Sequence, residues 1–344
     1  MSKKAVILFN LGGPDDLKSV RPFLFNLFND PAIIRLAQPL RWLLAMLITT
    51  LRTRKAKGIY QQMGGKSPIL DQTIAQATAL EKQLAAEEDE YKTFVCMRYW
   101  DPRSDSVVRN VKAYSPDEVI LLPLYPQYST TTTESSIRDW ERAARKCGLD
   151  VPTSKICCYY DDFGFIAAHV NNIKDTYWRA AEESKPRVLF SAHGLPESII
   201  RQGDPYQQQV EKTVELIVQV LSIDGIDHRI CYQSKVGPKK WIGPSTEEEI
   251  EKAGKEGVSV LVVPVAFVSE HSETLVELDV EYRELAQEHG VPNYWRVPAL
   301  GTDPYYIQAL AELCTKKETR KKEHCGYCRE HGQCEYLEQE KIAA

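Results

Sequence analysis

The chain has no run of eighteen apolar residues, the length at which a helix begins to read as membrane-spanning. Its first residues, MSKKAVILFNLGGPDD, hold an apolar stretch that meets acids too soon for a secretory leader. That stretch reads as a first β-strand. Positive charge is not in excess. With 43 Lys and Arg against 48 Asp and Glu, the net charge of -5 argues against a general nucleic-acid binder. GxGxxG is missing, because Pro14 follows the glycine pair of NLGGP, and no Walker sequence occurs, so the usual nucleotide sites are disfavoured. No Ser or Cys sits on a recognisable nucleophile elbow, which leaves covalent catalysis without a candidate. The nine cysteines are an odd number, a poor basis for a disulfide framework. A cytoplasmic protein with mostly reduced thiols is expected.

What is present is an alternation of short β-rich runs with longer helical stretches. The runs include AVILFNL, TFVCMRY, EVILLPLYP, RVLFSAHG, HRICYQS and VSVLVVPVAF. Between them lie DQTIAQATALEKQLAAEE, SSIRDWERAARKCG and PYQQQVEKTVELIVQVL. Near-continuous Val/Ile/Leu strands in this order predict parallel α/β sheet. The pattern runs twice, from Lys4 to about Pro123 and from about Arg187 to Pro264. The expected architecture is two Rossmann-like domains with parallel sheets facing across a deep cleft, spanning residues 1–150 and 151–313, plus a short C-terminal extension over 314–344. Ligands of such sheets sit beyond the carboxyl ends of the strands.

Those strand ends carry the candidate chemistry. His193 closes the run RVLFSAH and is followed by the turn residues Gly194 and Pro196. An imidazole paired with a carboxylate is a common proton acceptor, although a strand-end histidine is often only structural. In SEHSETLVELDVEY, His271 and Glu273 follow a strand, and Glu273, Glu277 and Glu281 recur every four residues on one helix face. The stripe reads either as a solvated surface or as a path for a cation. Oxygen ligands suit labile divalent binding, and an imidazole at the end suits iron or zinc. Tyr99, Trp100, Tyr125, Tyr128, Tyr206 and Trp241 cluster near strand ends, as a wide apolar ligand requires, and Arg98, Arg52 and Lys55 are available for its carboxylates. Trp42 to Ile48 is continuously apolar and precedes Arg52, Arg54, Lys55 and Lys57. Two readings stand: a helix packed on the core, or a surface helix resting on anionic lipid or lining the mouth of an apolar pocket.

The blocks FNLGGPDD, YQQMGGKSPI, MRYWDP, YPQYSTTTTESS, SAHGLPESIIRQGDPY, YQSKVGPKKWIGPSTEE and VPVAFVSEHSETLVELDVEY resemble the ferrochelatases, from residue 5 to about 313. The resemblance implies a lyase that inserts Fe(II) into protoporphyrin IX, with a coproporphyrin-using enzyme or a non-catalytic haem or iron carrier as alternatives. It places the family's active-site histidine on His193 and its catalytic glutamate on Glu273. His271 and Glu277 fall on the metal side. Either His193 accepts protons while the others deliver iron, or His193 itself ligates iron. Arg98, Tyr128, Ser234 and Trp241 fall in blocks that line the porphyrin pocket, and Arg52, Lys55, Met63 and Tyr99 are expected to bind the porphyrin with them. The segment from about 33 to 54 matches an apolar lip, which implies peripheral association with the inner membrane. The implied partners are the porphyrin, Fe(II), membrane lipid and a second copy of the chain in a homodimer.

The tail HCGYCREHGQC supplies Cys325, Cys328 and Cys334 as C-x2-C-x5-C. The resemblance implies a [2Fe–2S] cluster with three ligands there and a fourth from SKICCYYDD. Neighbours on a strand face opposite ways, so one of Cys157 and Cys158 is expected to reach it, and Cys158 is chosen. Structural zinc suits the same thiolates, with His324 or His331 completing an alternative set.

Overall fold

A computed structural model of the chain describes residues 1–237 and 239–315. They form two compact units, Met1–Tyr159 joined by the chain from Ile307, and Tyr160–Tyr306. The first division therefore falls at Tyr159, where the sequence suggested 150, and the last described helix, Pro304–Thr315, begins in the second unit and ends in the first.

Each unit is built on a parallel four-stranded sheet. In the first, β1 (Lys3–Asn10), β2 (Glu90–Met97), β3 (Glu118–Pro123) and β4 (Thr153–Lys155) lie in the order β2-β1-β3-β4. In the second, β5 (Arg187–His193), β6 (His228–Gln233), β7 (Val260–Pro264) and β8 (Tyr294–Arg296) repeat that order as β6-β5-β7-β8. All six pairings are parallel. The runs marked as strands in the sequence are the three inner or longer strands of each sheet. The edge strands β4 and β8 have three residues each, too few to show a period.

The central strands are apolar on both faces because helices cover both. Ala5 to Phe9 of β1 and Val188 to Phe190 of β5 are buried. Trp140, on the helix Thr133–Cys147, meets Phe9 edge to face with ring centroids 6.0 Å apart. Burying one such aliphatic or aromatic side chain contributes about 1.5–3 kcal/mol, so these strands dominate the cohesion of each unit. In both sheets the order reverses beside the central strand, between β1 and β3 and between β5 and β7. A crevice opens at the carboxyl ends of strands where the order reverses.

The long helix Leu40–Gln62 contains the apolar run. Its inner side is Ala45, Thr49 and Tyr60. Leu40, Leu43, Leu47 and Leu51, spaced three and four apart, form an outer face and are 56–72% exposed, with Trp42 beside them at 44%. The helix thus packs on the core through one side and leaves its leucine face exposed. No described helix is long and apolar enough to cross a membrane.

Candidate active site

His193 is the last residue of β5, so its ring is delivered to the strand-end layer at the switch point between β5 and β7. Gly194 follows at a close approach: a Cβ there would lie 3.0 Å from the Gln233 carbonyl oxygen and 3.2 Å from the Trp241 ring, so a larger residue would need a neighbour to give way. Trp241 stands edge to face with His193, ring centroids 6.5 Å apart, and its Nε1–H donates to the Val236 carbonyl. After β7 the chain turns through Ser269 and His271 into a helix over Glu273–Glu281. This helix is of the π type, with a wider turn than the α-helix that four-residue spacing suggested. Glu273 and Glu277 are partly buried, whereas Glu281 is exposed and leaves the stripe.

Three titratable groups converge. Glu273 Oε2 lies 2.9 Å from His193 Nδ1 and 3.9 Å from His271 Nε2. His193 Nδ1–H donates to the carboxylate, so the neutral ring keeps its lone pair on Nε2. The Nδ1–H of His271 donates to the Ser269 carbonyl at 3.0 Å, which likewise leaves Nε2 on the Glu273 side. Burial alone would lower the basicity of His193, but the charge and hydrogen bond of Glu273 outweigh it and raise its pKa above 6.5. Burial would raise the Glu273 pKa, and the two imidazoles outweigh that in turn, holding its carboxyl well below the usual carboxylate range. Glu277 moves the other way: burial, then the neighbouring Glu273 charge, push its pKa up.

Glu277 is also the most heavily tied of these groups. It accepts from Ser234 N–H at 2.8 Å, Ser234 Oγ–H at 2.5 Å, Gln233 Nε2 at 3.1 Å and Tyr282 O–H at 3.1 Å. Gln233 in turn reaches the Glu273 carbonyl at 3.3 Å and accepts from Ser191 Oγ at 2.8 Å. Sequence reasoning passed over Gln233, although it is the last residue of β6 and the strand-end rule marks it. Among the described residues, no group of three or more His, Cys, Asp or Glu is arranged to hold a metal ion.

The first unit holds the remaining site residues. Arg98 follows β2 with its guanidinium turned to Asp30 at 2.7 Å, and its Nε–H donates to Ser135 Oγ at 2.7 Å. Tyr99 O–H and Ser135 Oγ–H also donate to Asp30 Oδ2, at 2.8 and 2.6 Å. Arg98 is therefore held in a buried network, and nothing in the sequence around Asp30 announces it as the hub. Tyr128 O–H donates to Glu134 at 3.1 Å. Met63 packs with Tyr60 and Tyr99, while Arg52 and Lys55 are exposed, Arg52 lying over the Phe28 ring. Cys158 is buried and Cys157 half-buried in the loop after β4. Cys325, Cys328 and Cys334 lie outside the described residues.

Two such parallel α/β units in one chain match the chelatase fold. SirB from Bacillus subtilis, solved with Fe3+, superposes with a TM-score of 0.55 over 97% of this chain and 98% of its own, at 13% identity. Within that class the chain belongs to the ferrochelatase family, whose sequence profile matches residues 3–318. It is 57% identical over 313 residues to a ferrochelatase of Wolbachia sp. subsp. Drosophila simulans (strain wRi), covering 91% of this chain and 98% of that one. It is 52% identical over 321 residues to a ferrochelatase of Pelagibacter ubique (strain HTCC1062), covering 93% and 92%.

Proposed function

We propose that this chain is a porphyrin metal chelatase that inserts Fe(II) into protoporphyrin IX with release of two protons. The observation that carries the proposal is the His193–Glu273 pair at the end of the central strand of a ferrochelatase-family fold. A planar porphyrin keeps its pyrrole N–H protons in the ring plane, where an arriving metal cannot compete for the lone pairs. A pocket complementary to a saddled ring spends binding energy on exposing them. His193 Nε2 accepts the two ring protons in turn, passing the first to solvent before the second arrives, and Glu273, ionised at 2.9 Å, stabilises the imidazolium that forms each time. His271 and Glu273 take Fe(II) as it sheds water, and Glu277 holds the loop beside them. Trp241, edge to face with His193, meets the apolar ring.

The test is an anaerobic assay with Fe(II), read by loss of porphyrin fluorescence, run with protoporphyrin IX and with coproporphyrin III. Faster turnover of protoporphyrin supports the proposal, and faster turnover of coproporphyrin replaces its substrate. Tight haem binding without insertion would make the chain a carrier.

The leucine face of Leu40–Gln62, with Arg52, Arg54 and Lys55 behind it, suits peripheral contact with an anionic membrane. Binding to phosphatidylglycerol vesicles that Leu43→Glu and Leu47→Glu abolish supports this, and recovery of the unaltered protein lipid-free sinks it.

Cys325, Cys328 and Cys334 with Cys158 form a four-thiolate set suited to a [2Fe–2S] cluster. Metallation transfers no net electrons, so a bound cluster serves here as a cross-link. Visible absorption of the purified protein, lost in Cys328→Ser, supports this, whereas a colourless protein with stoichiometric zinc assigns the set to zinc.

A further inference from the structure

A π-helix needs support that its own hydrogen bonds do not supply, because i→i+5 turns are rare and short-lived in sequence and cluster at functional sites. The support for Glu273–Glu281 comes from the three-residue edge strand β8. Alternate residues of a strand share a face, and Tyr294 and Arg296 both turn to the helix. Tyr294 O–H donates to the Leu278 carbonyl at 2.6 Å. Arg296 reaches further. Its Nη1–H donates to Glu270 Oε1 at 2.9 Å, just ahead of the π-helix, and its Nε–H donates to Asp279 Oδ2 at 2.8 Å, near the far end. A second nitrogen, Nη2, also lies 2.8 Å from Asp279 Oδ2. The guanidinium side chain is only 9% exposed.

One planar cation thus spans the whole segment that carries His271, Glu273 and Glu277. Two further details show that the bridge is built rather than incidental. Glu270 Oε1 also accepts from the Ala299 backbone N–H at 2.9 Å, which fixes the chain leaving β8, while its Oε2 is buried without a hydrogen-bond partner. Loss of Arg296 would strand that carboxylate. Asp279 is held from its other oxygen by Arg283 at 3.2 Å, and Arg283 also donates to the Tyr294 carbonyl at 2.7 Å.

We propose that Arg296 is a positioning residue that clamps the π-helix by its two ends, and so sets where His271, Glu273 and Glu277 stand relative to His193. Arg296 suits the role because its fork reaches two carboxylates at once, which the point charge of lysine does not. The clamp is a statement about geometry, whereas its effect on iron insertion rests on the function proposed above.

The test uses Arg296→Lys, with Glu270→Gln and Asp279→Asn as single-arm variants should Arg296→Lys fold poorly. Amide hydrogen exchange of peptides covering 273–281 is followed beside those of β5 and β7. Exchange at 273–281 should accelerate about tenfold or more while the strands stay protected, because the clamp secures local and not global stability. In steady state, the KM for Fe(II) should rise roughly fivefold with the porphyrin KM unchanged, the mark of displaced metal-side groups. Unchanged exchange at 273–281 would overturn the clamp. Accelerated exchange with unaltered kinetic constants would overturn the positioning role. A protein that inserts no iron before mutation refutes the function and leaves the exchange result to judge the clamp.

Discussion

Ser234 gives both of its hydrogens to Glu277: the backbone N–H to Oε1 at 2.8 Å and the hydroxyl to Oε2 at 2.5 Å. It does so with φ at +64°, a conformation that L-residues other than Asn and Asp seldom adopt. The loop that carries Trp241 is therefore launched from a strained residue held by one buried carboxylate. Ser234→Ala keeps the strain and removes a hydrogen bond to a charged group, at a cost of about 1.5–3 kcal/mol. Ser234→Gly removes the same bond but relieves the strain, so it should be the more stable of the two. Urea unfolding midpoints, ranked unaltered, Gly, Ala, check the order; Ala above Gly would contradict it.

His193→Ala should abolish porphyrin metallation while leaving the fold intact. The side chain is partly exposed at a strand end, and the sheet hydrogen bonds of β5 are made by backbone. A thermal midpoint within a few degrees of the parent protein, together with retained porphyrin binding, separates lost chemistry from lost structure. Retained full activity would remove His193 from its assigned role.

The pH profile follows from the same pair. His193 must be neutral to accept a proton, and Glu273 raises its pKa above 6.5, so activity should fall on the acid side with its midpoint above that value. Glu273→Gln removes the charge that raises it, and the acid limb of any residual activity should move down in pH. Stability carries opposite signs for the two partners. The raised imidazole contributes fully below 6.5 and is lost as pH climbs through its folded pKa. The lowered carboxyl contributes fully above 4.5 and is lost as pH falls through its folded pKa. The pair's contribution is therefore whole between about 4.5 and 6.5, below the range in which the enzyme should work best. Denaturation midpoints across pH 4 to 9, with and without Glu273→Gln, give the comparison.

Asp30→Asn should be severe. Arg98, Tyr99 and Ser135 all donate to one oxygen of Asp30, and the Asp30 side chain is 2% exposed. Removing its charge leaves Arg98 with the Ser135 hydroxyl and, as its remaining carboxylate, Asp139 at 3.8 Å. Breaking a buried pair from one side costs about 3–5 kcal/mol. Chemical denaturation of Asp30→Asn measures it, and a loss under 1 kcal/mol would show that water or Asp139 takes over.

Gly194→Ala tests the close packing behind His193. The added methyl would press on the Gln233 carbonyl and on Trp241, and rigid backbone on one side leaves Trp241 to move. Porphyrin affinity should drop several-fold with the acid limb of the pH profile unmoved, since neither His193 nor Glu273 is among the atoms the new methyl would press on. Fluorescence titration with porphyrin reads the affinity.

Much of this was legible in the sequence because it follows from periods and end effects. Continuous runs such as Ala5 to Leu8 and Val260 to Val263 have one physical outcome, a central parallel strand, and the strand-end rule then points at His193 and Glu273. The type of the helix after β7 was not legible, because Glu273 and Glu277 share a face in either helix and the wider turn is set by contacts from Ser234, Tyr282 and Tyr294. Asp30 and Arg296 were hidden for the same reason. Each is ordinary in its local stretch and acquires meaning only from partners distant in sequence. The outer leucines of Leu40–Gln62 were ambiguous because an apolar face looks the same whether it meets a core or solvent.

The unit that contains β1 is discontinuous: it opens at Met1, pauses at Tyr159 and resumes at Ile307. The unit that contains His193 and Glu273 is a single uninterrupted stretch. During synthesis the ribosome therefore releases the later unit whole while the earlier one still waits for the chain from Ile307. Domains that fold as units generally do so from the N-terminus first. Here the order is inverted for the final step, and the half that bears His193 and Glu273 can be finished before the half that began it.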